Sequence, residues 1–443
     1  MHPPKVSIII FVPAGCHSFE TSMESVLGQT LSDLEVLCVV PDSDEASIAR
    51  LERYVADARV RVLRGTFGSA GAAKNVAIRS ACGAYVGFVE AGDVVAPEMY
   101  EQLVVFAEAH PQADIVKCDY EAFSEIGGER YILPHRLLEA RPKDYEKMLN
   151  PRKHAQLFGV ERALWAGIYR RSFLSRYNVR YREAQGNAFE EHGFWFSSFA
   201  LANGVAFVPA ALYRHREDAS GGFYAAHDPF AMCDEYDFAE QRVRNCRGVL
   251  AAVLRPYLGA RYVACSGVLR LLEEAARPAL TQRMHADFIQ RIAEEREVDK
   301  IFSPTFHRRR NRELHWLLTQ PEAYLDDINH QVLEFAARQE NFAAWAARKP
   351  TVIVGAGTSG VTAQVLLARH GVRIAAFLDD VAEAGTVVNG VPVRTLSQSE
   401  DVQALQFLFA ERKAGKAVKQ RLQAAGVAAG DLKSFEPRWL SWE

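Results

Sequence analysis

Short apolar runs of strand length alternate with helical stretches over residues 1–120, and this alternation constrains the fold more than any other feature of the chain. The runs at residues 6–12 and 34–40 are almost continuously apolar and rich in β-branched side chains, which is typical of parallel strands buried on both faces. Further strand-like runs lie at 59–63, 85–89 and 114–119, and helical stretches at 19–27, 45–55 and 72–80. The alternation predicts right-handed βαβ units and a parallel sheet, and therefore an α/β fold class.

The run at residues 85–89 ends in two acids and a tight turn: Glu90, Ala91, Gly92 and Asp93. In open α/β sheets, ligands bind at the carboxyl ends of the strands. Hard cations such as Mg²⁺ take oxygen ligands and share them with phosphates. The pattern therefore indicates a metal and diphosphate site at Glu90 and Asp93. The alternative is an acidic turn before the next helix, which begins near Pro97.

Charge and cysteine content argue against several classes of protein. The chain has 443 residues, which predicts two or three domains, and its net charge of −3 indicates no basic field for nucleic acid. The seven cysteines are scattered and form no CxxC, which favours a reducing cytoplasm over a disulfide framework. The first apolar run is too short for a signal peptide, and no run approaches the roughly 20 residues that span a bilayer. We expect a cytoplasmic protein that reaches membrane-bound material only from the surface.

Five blocks of sequence, taken in order, carry a resemblance to a known family. They are VSIII at 6–10, SVLGQT at 25–30, LEVLCVV at 34–40, GSAGAAKN at 68–75 and GAYVGFVEAGD at 83–93. Together they resemble the nucleotide-binding half of family 2 glycosyltransferases, which have the GT-A fold, a Rossmann-like α/β domain. The resemblance covers roughly the first half of the chain and implies a GT-A domain over residues 1–224.

The resemblance implies roles for several residues at a donor site. Glu90 and Asp93 take the place of the family's acidic motif, so they would hold Mg²⁺ or Mn²⁺ together with the diphosphate of a nucleotide sugar. Asp42 would contact the nucleobase or ribose. Lys74 and Asn75, in the GSAGAAKN block, would also bind the donor.

Three donor motifs depart from the family's pattern. The acidic motif, usually Asp-x-Asp-Asp, reads EAGD at 90–93, with a glycine in its third position. The usual Asp-Asp-Gly-Ser reads VPDS at 40–43, and the usual Pro-Val-Tyr-Asn reads FVPA at 11–14. These departures keep open the alternative of a catalytically degenerate protein that binds a nucleotide sugar.

An acidic pair, Glu190 and Glu191, opens the helical stretch that follows residue 189. In the family the second acid of such a pair is the catalytic base, because inverting transfer needs a carboxylate to take the proton of the acceptor hydroxyl. The resemblance thus favours Glu191 as base over Glu190, whose alternative is a stabilising charge at a helix start. A strand at 205–208 would precede a basic segment in which Arg214, His215 and Arg216 supply positive charge to the diphosphate. The alternative for this segment is a solvated edge strand.

Two further readings of the acceptor half stay open. Residues 163–174, ALWAGIYRRSFL, resemble the family's approach to its catalytic region, and the alternative is a plain amphipathic helix. His192 and His215 are alternative metal ligands, although a lone histidine is more often packed or exposed.

Residues 225–348 have helical periodicity throughout, which predicts an α-helical middle region. Within it, HRRRNRELHW at 307–316 is a basic cluster with an aromatic residue. Such a cluster would contact anionic lipid headgroups at the inner membrane, which suits a lipid-linked acceptor. The alternative is a solvated helix face.

A second α/β unit is predicted over residues 349–443. A strand leads into GAGTSG, with Gly355, Gly357 and Gly360 in GxGxxG spacing, and a helix and a second strand ending at Asp379 follow. This order matches the dinucleotide fingerprint, in which a helix N-terminus faces a diphosphate and the acid binds a ribose. The segment resembles small Rossmann-like domains found beside sugar-processing enzymes, which implies a second site for a nucleotide or nucleotide sugar. A purely structural role is the alternative.

We therefore expect an inverting glycosyltransferase that moves a sugar from a nucleotide-sugar donor to a hydroxyl of a bacterial surface glycan, such as capsule or lipopolysaccharide. One alternative is a nucleotide-sugar-binding protein without turnover. The other is an NAD-dependent oxidoreductase built on GAGTSG, which leaves the rest of the chain unexplained.

Overall fold

The computed structural model describes residues 3–184, 189–217, 228–292, 308–383, 385–398, 401–410 and 412–435. The chain folds into two compact units. The first comprises the described residues of Met1–Glu121, Arg136–Arg216 and Ser220–Asp326, and the second those of Ala122–His135, Glu217–Ala219 and Asp327–Glu443.

The first unit is built on a mixed sheet in the order β3-β2-β1-β4-β8-β6-β9-β5. Its strands are β1 (Val6–Phe11), β2 (Leu34–Pro41), β3 (Val60–Gly65), β4 (Tyr85–Glu90), β5 (Val94–Val95), β6 (Ile115–Ile126), β8 (Gly167–Arg170) and β9 (Val205–Arg216). Strands β1 to β4 pair in parallel, and β4, β8 and β6 pair antiparallel, as do β5 and β9. The parallel half confirms the predicted βαβ units.

Helices connect these strands and cover the sheet. They are α1 (Phe19–Leu27), α2 (Glu45–Leu51), α3 (Ala70–Ser80), α4 (Met99–Ala109), α5 (Arg171–Arg176) and α6 (Glu190–Leu201). Local capping explains two of the starts, since Asp44 accepts a hydrogen bond from Ser47 N at 3.1 Å and Ser69 accepts one from Ala72 N at 3.1 Å. Strand β1 is buried on both faces, as its apolar run predicts.

The structure excludes one open alternative and corrects the limit of one strand. Residues 163–174 do not form one amphipathic helix, because β8 occupies 167–170 and only the short α5 follows it. The strand that begins at residue 205 does not stop at 208. It continues through Pro209 to Arg216, and pairs antiparallel with β5 so that Arg214 lies opposite Val94. The predicted basic segment is therefore part of a strand.

The middle of the chain is helical, as the periodicity predicts. Its helices are α7 (Ala231–Arg244), α8 (Val249–Leu271), α9 (Arg277–Ile292), α10 (Arg308–Thr319) and α11 (Pro321–Ala346). Ion pairs link α7, α8 and α9, and the buried Arg261 at their centre contacts both Asp237 and Asp287. Within the described ranges, no helix combines the length and the apolar character needed to cross a bilayer.

The second unit holds a smaller sheet in the order β12-β13-β11-β10-β14-β15. Its elements are β7 (Glu129–His135), β10 (Thr351–Val354), α12 (Thr358–Arg369), β11 (Ile374–Leu378), β12 (Val387–Val388), β13 (Val391–Arg394), β14 (Gln406–Phe409), α13 (Arg412–Ala424) and β15 (Leu432–Ser434). All pairs except β12–β13 are parallel. Strand β7 pairs with β6, whose residues 122–126 belong to this second unit.

The fold class is therefore the expected one: an N-terminal mixed α/β domain, a helical middle region and a small C-terminal sheet domain. The predicted limits at residues 224 and 348 stay predictions. Residue 224 itself lies outside the described residues.

Candidate active site

Three sequence-predicted acids follow strands at one edge of the first sheet. The parallel register places Glu90 opposite Phe11, so β4 and β1 end at the same level, and Asp42 follows β2 directly. Asp93 comes after the turn that β4 enters. The Asp42 side chain is half exposed, with an ion contact of 3.4 Å to Arg64. This edge is where an α/β sheet binds its ligand.

A buried lysine gathers three carboxylates beside this edge. Lys74, on α3, has only 5% of its side chain exposed, and its Nζ donates to Glu90 Oε1 at 2.9 Å. The same Nζ lies 3.7 Å from Glu190 Oε1 and 3.8 Å from Glu191 Oε1. Burial alone would lower the pKa of Lys74, but the carboxylates, together with Tyr181, hold this pKa well above its usual value. Lys74, Glu90, Glu190 and Glu191, all predicted site residues, are thus brought together.

The proposed base lies in the first turn of α6. Burial raises the pKa of Glu191 to about 7, and the negative charges of Glu90 and Glu190 act in the same direction, while Lys74 opposes them. The side chain keeps 34% of its surface exposed, so an acceptor can reach it. A carboxylate whose pKa lies near neutrality is suited to general-base catalysis.

Asp93 has a different environment from Glu90. It is 2% exposed, and its Oδ2 accepts hydrogen bonds from Tyr213 Oη at 2.6 Å and His215 Nδ1 at 2.9 Å. Its Oδ1 accepts one from Arg216 N at 2.8 Å. Burial would lower the pKa of His215, but the bond to Asp93 outweighs burial and raises it. Asp93 therefore anchors β9 to the turn after β4.

The donor set does not fit a divalent cation held jointly by Glu90 and Asp93. Glu90 contacts Lys74, and the Asp93 carboxylate is enclosed by three hydrogen-bond donors. His192 is buried within α6, where burial holds its pKa well below the usual value. In the part of the chain that the structure describes, no group of three or more His, Cys, Asp or Glu is arranged to hold a metal. A metal at Asp93 would require this carboxylate to leave its donors.

The GSAGAAKN block packs α3 against the segment 181–183. The Asn75 side chain donates to Tyr181 O at 3.0 Å and to Glu183 Oε1 at 2.9 Å, and accepts from Tyr181 N at 2.9 Å. A Cβ atom at Gly71 would lie 2.5 Å from Arg182 O, so only glycine allows this approach. Asn75 thus positions the segment that carries Tyr181, and its assignment to the donor stays a prediction.

The basic residues of β9 point to two different places. Arg214 is 60% exposed and donates to Glu121 Oε2 at 2.9 Å, on the face of β9 opposite His215. Arg216 binds Asp93 through its backbone. The side chain directed at Asp93 is therefore that of His215, and the assignment of Arg214 and Arg216 to the donor diphosphate stays a prediction.

Sequence reasoning missed an aromatic stack at this site. The Trp165 ring stacks on Tyr213 at 4.3 Å and on His215 at 4.5 Å between centroids, and Tyr120 meets it edge-on. Trp165 comes just before β8, within residues 163–174, which resemble the family's approach to its catalytic region. No sequence pattern indicated that Tyr120 or Tyr213 would pack against it. The stack fixes the orientation of the imidazole that binds Asp93.

A buried lysine, Lys117 on β6, was also missed. It donates to the carbonyl oxygens of Arg162, at 3.3 Å, and Ala163. Burial lowers the pKa of Lys117 to about 7. Ala163 has a φ of +28°, a conformation that L residues rarely adopt, so the lysine supports a strained turn directly before Trp165.

In the second unit, Gly355 and Gly357 lie in the turn after β10, Gly360 lies in the first turn of α12, and Asp379 follows β11. Gly355 has a φ of +100°, and a Cβ atom on Gly360 would lie 2.0 Å from Gly355 O, so the turn into α12 requires both glycines. Asp379 Oδ2 accepts a hydrogen bond from Ala356 N at 3.2 Å, and its Oδ1 accepts one from Val381 N at 3.0 Å. Asp379 therefore closes the glycine turn, and its ribose contact stays a prediction.

The chain is similar in sequence to a family model and to proteins named as glycosyltransferases. Residues 7–175 match the family model described as Glycosyl transferase family 2. The uncharacterized glycosyltransferase EpsJ of Bacillus subtilis (strain 168) is 32% identical over 216 residues, which cover 48% of this chain and 62% of EpsJ. The uncharacterized glycosyltransferase YibD of Escherichia coli (strain K12) is 30% identical over 185 residues, covering 40% of this chain and 52% of YibD. The chain thus spans less than two thirds of either relative.

Solved structures resemble the fold over a longer part of the chain. The structure of S. aureus TarS 1–349 in complex with UDP-GlcNAc has a TM-score of 0.57 at 18% identity, covering 75% of this chain and 92% of that one. TarS 1–349 in complex with UDP gives 0.55 at 18% identity, with 75% and 91% covered. At this identity the likeness concerns the fold alone. Residues 7–175 therefore carry the sequence pattern of glycosyl transferase family 2, within a fold similar to that of the TarS structures.

Proposed function

We propose that this protein is an inverting glycosyltransferase that moves a sugar from a nucleotide-sugar donor to a hydroxyl of a glycan. The observation that carries the proposal is the Glu191 carboxyl, whose pKa of about 7 and partial exposure suit a general base beside the ligand edge of the sheet. The family match of residues 7–175 and the nucleotide sugar in the TarS structure support the same chemistry.

The proposed reaction uses residues at both ends of this edge. The nucleoside would lie over the ends of β1 and β2, where the exposed Asp42 carboxylate accepts hydrogen bonds from ribose or base. Glu191 would take the acceptor proton as the hydroxyl oxygen attacks the anomeric carbon from the face opposite the diphosphate. The bond from that carbon to the diphosphate oxygen breaks, and its electron pair leaves with the nucleotide. No step runs through a divalent cation, because Asp93 is held by its three donors.

A donor screen on the full chain tests this proposal. UDP-, GDP-, CMP- and dTDP-sugars are added with Mn²⁺ or with EDTA, and the melting temperature and the release of nucleotide are measured. A donor that binds the folded state raises the melting temperature by mass action. We expect one nucleotide class to raise it and to be consumed when a glycan acceptor is added. Binding without turnover for every acceptor would favour the degenerate, binding-only alternative.

The second unit supports a second candidate function, the binding of a nucleotide or nucleotide sugar. Its parallel strands run in the order β13-β11-β10-β14-β15, which is third, second, first, fourth, fifth along the chain. This is the doubly wound order, whose ligand site lies where the order reverses, at the ends of β10 and β14 beside the glycine turn. In the full chain, Gly355→Val is expected to abolish binding of this second ligand and to leave the donor response intact. Equal loss of both responses would contradict separate sites.

The acceptor proposed is a bacterial surface glycan, and a lipid-linked one would explain the basic helix α10. Arg309 there pairs with Glu313 at 2.8 Å, and Arg312 lies over the Trp316 ring at 5.3 Å. His307 of this cluster lies outside the described residues. Sedimentation with vesicles that contain phosphatidylglycerol tests the contact, which we expect to weaken in Arg312→Gln and at high salt. Equal binding to neutral vesicles would contradict it.

A further inference from the structure

Lys74 stands between the donor edge and the proposed base. Its Nζ lies within 4 Å of carboxylates from two elements, Glu90 at the end of β4 and the Glu190–Glu191 pair of α6. The Tyr181 ring approaches the same Nζ at 5.4 Å from another side. The lysine is buried, so solvent screens these interactions weakly.

The three carboxylates are not equivalent around this ammonium. When all are ionised, one positive charge faces three negative charges, and two negative charges stay uncompensated. Glu90 makes the direct hydrogen bond at 2.9 Å, whereas Glu191 is 3.8 Å away. In a poorly screened cluster the most weakly paired acid holds its proton longest. Glu190 lies at nearly the same distance as Glu191, 3.7 Å, so the distances separate Glu90 from the Glu190–Glu191 pair. Burial raises the pKa of Glu191 to about 7.

Other charged groups also act on Glu191, so the role of Lys74 has to be separated from theirs. The carboxylates of Glu90 and Glu190 oppose its ionisation, and Arg162 favours it. Lys117 on β6 and His215 on β9 interact with it from two more strands. The hydroxyls of Tyr169 and Tyr181 face it as well, and burial holds the pKa of both well above the usual value, so they stay neutral. Among these groups, Lys74 is the one for which the structure describes an ion pair with Glu191, at 3.8 Å.

We propose that Lys74 is a positioning residue for the base: its ammonium holds the Glu191 carboxylate ionised and oriented by bridging it to the Glu90 turn on the donor side. This inference rests on the proposed function and replaces the expectation that Lys74 is a donor ligand. Lys74 would also couple Glu90 to Glu191 electrostatically. A group that displaces Glu90 from Lys74 would change how strongly the ammonium stabilises the Glu191 carboxylate.

Three proteins test the proposal: wild type, Lys74→Met and Lys74→Arg. Methionine keeps the apolar stem of the side chain and lacks its ammonium, and arginine keeps the charge. The dependence of kcat/KM on pH is measured with the donor found in the screen, together with the donor Kd and the melting temperature. We expect the acidic limb of Lys74→Met to move to higher pH, with about tenfold lower kcat/KM at pH 6.5 for a limb moved by one pH unit. We also expect the kcat/KM of Lys74→Met to reach the wild-type value by pH 9. The acidic limb of Lys74→Arg should lie at the same pH as that of wild type.

Two results would overturn the proposal. A loss in Lys74→Met that is equal at every pH would indicate a general structural role. A weaker donor Kd with an unmoved limb would restore Lys74 as a donor ligand.

A measurement that needs no turnover separates this proposal from the proposed function. The carboxyl carbons of ¹³C-labelled glutamates are titrated by NMR, and Glu191→Gln identifies the signal of Glu191. We expect this signal to titrate at higher pH in Lys74→Met than in wild type, whether or not any sugar is transferred. An unchanged titration disproves the role of Lys74, whereas a moved titration without transfer disproves only the glycosyltransferase.

Discussion

The two sheets of this protein each place an acid after a strand beside a small-residue turn, yet the two acids have different partners. In the first unit, Glu90 joins two further carboxylates around the buried Lys74 ammonium. In the second unit, the Asp379 carboxylate accepts hydrogen bonds from the backbone N–H groups of Ala356, in the glycine turn after β10, and of Val381, two residues further along the chain. The comparison teaches that a shared motif leaves the chemistry open. An acid among like charges can exchange a proton near neutral pH, whereas an acid held by backbone amides shapes a loop.

The largest expected effect comes from removing the proposed base on the first side of this comparison. Glu191→Gln keeps the shape of the side chain and removes its proton acceptor, so kcat should fall by about 10²- to 10⁴-fold with donor binding retained. Glu190→Gln is the matched control and should lose far less. Steady-state rates and thermal shifts with the donor measure both. Unchanged turnover in Glu191→Gln would disprove the assignment of Glu191 as the base.

The pH dependence of the wild-type enzyme is the next largest effect. Because burial raises the pKa of Glu191 to about 7, the base is protonated below that pH, and kcat/KM should fall by about tenfold per pH unit on the acidic side. A carboxyl whose pKa is raised by folding binds its proton more tightly in the folded state, so its contribution to stability falls as pH rises from its ordinary value towards 7. Glu191→Gln should therefore gain stability relative to wild type between pH 5 and 8, as urea unfolding at several pH values can measure. A constant difference would contradict the raised pKa.

Replacing Asp93 sharpens the comparison within the first unit, because its carboxylate resembles that of Asp379 in serving hydrogen-bond donors. Asp93→Asn leaves donors on Tyr213, His215 and Arg216 poorly matched and should cost about 1.5–3 kcal/mol in the free energy of unfolding. Urea unfolding measures this, with Asp42→Asn as the exposed control. If Asp93 instead holds a metal, the substitution will abolish a Mn²⁺-dependent donor response and leave the unfolding free energy nearly unchanged.

The smallest expected effect tests the glycine turn of the second unit. Gly360→Ala places a Cβ against Gly355 O and should destabilise this unit by roughly 1–3 kcal/mol, as overpacked positions do. Gly430→Ala, where a Cβ meets nothing within 4 Å, is the matched control. Turnover at pH 8 should be unaffected by either. A change in kcat for Gly360→Ala would break the separation of the two regions.

Much of the fold could be predicted from local pattern, because the strands of the parallel half are continuous apolar runs with short helical connections. Strand β9 could not, since it includes a proline and a basic stretch and exists through its pairing with β6 and with the two-residue β5. Tertiary pairing overrides local preference in such strands. The same reason explains why residues 163–174, for which a single helix was an open alternative, form β8 followed by α5.

The candidate site was predictable where it depends on strand ends and helix starts, and unpredictable where it depends on register. Glu90, Lys74, Glu190 and Glu191 follow from the motifs and lie together. The hydrogen-bond partners of Asp93 do not follow from a motif, because the register of β9 determines which of its residues face Asp93. A slip of one residue would exchange the faces of Arg214 and His215, and only the observed pairing of Val94 with Arg214 directs the histidine inward.

Adjacent residues on α3 serve two tasks: Lys74 holds the carboxylate cluster, and Asn75 secures the segment 181–183. Substitutions at these positions of α3 should be poorly tolerated, because a change at either residue disturbs a neighbour of the other. Variation that retunes the donor is therefore expected to accumulate in the exposed loop after β2, around Asp42, where a new side chain meets solvent. In lineages that acquire a new sugar nucleotide, the loop after β2 should change while α3 stays the same.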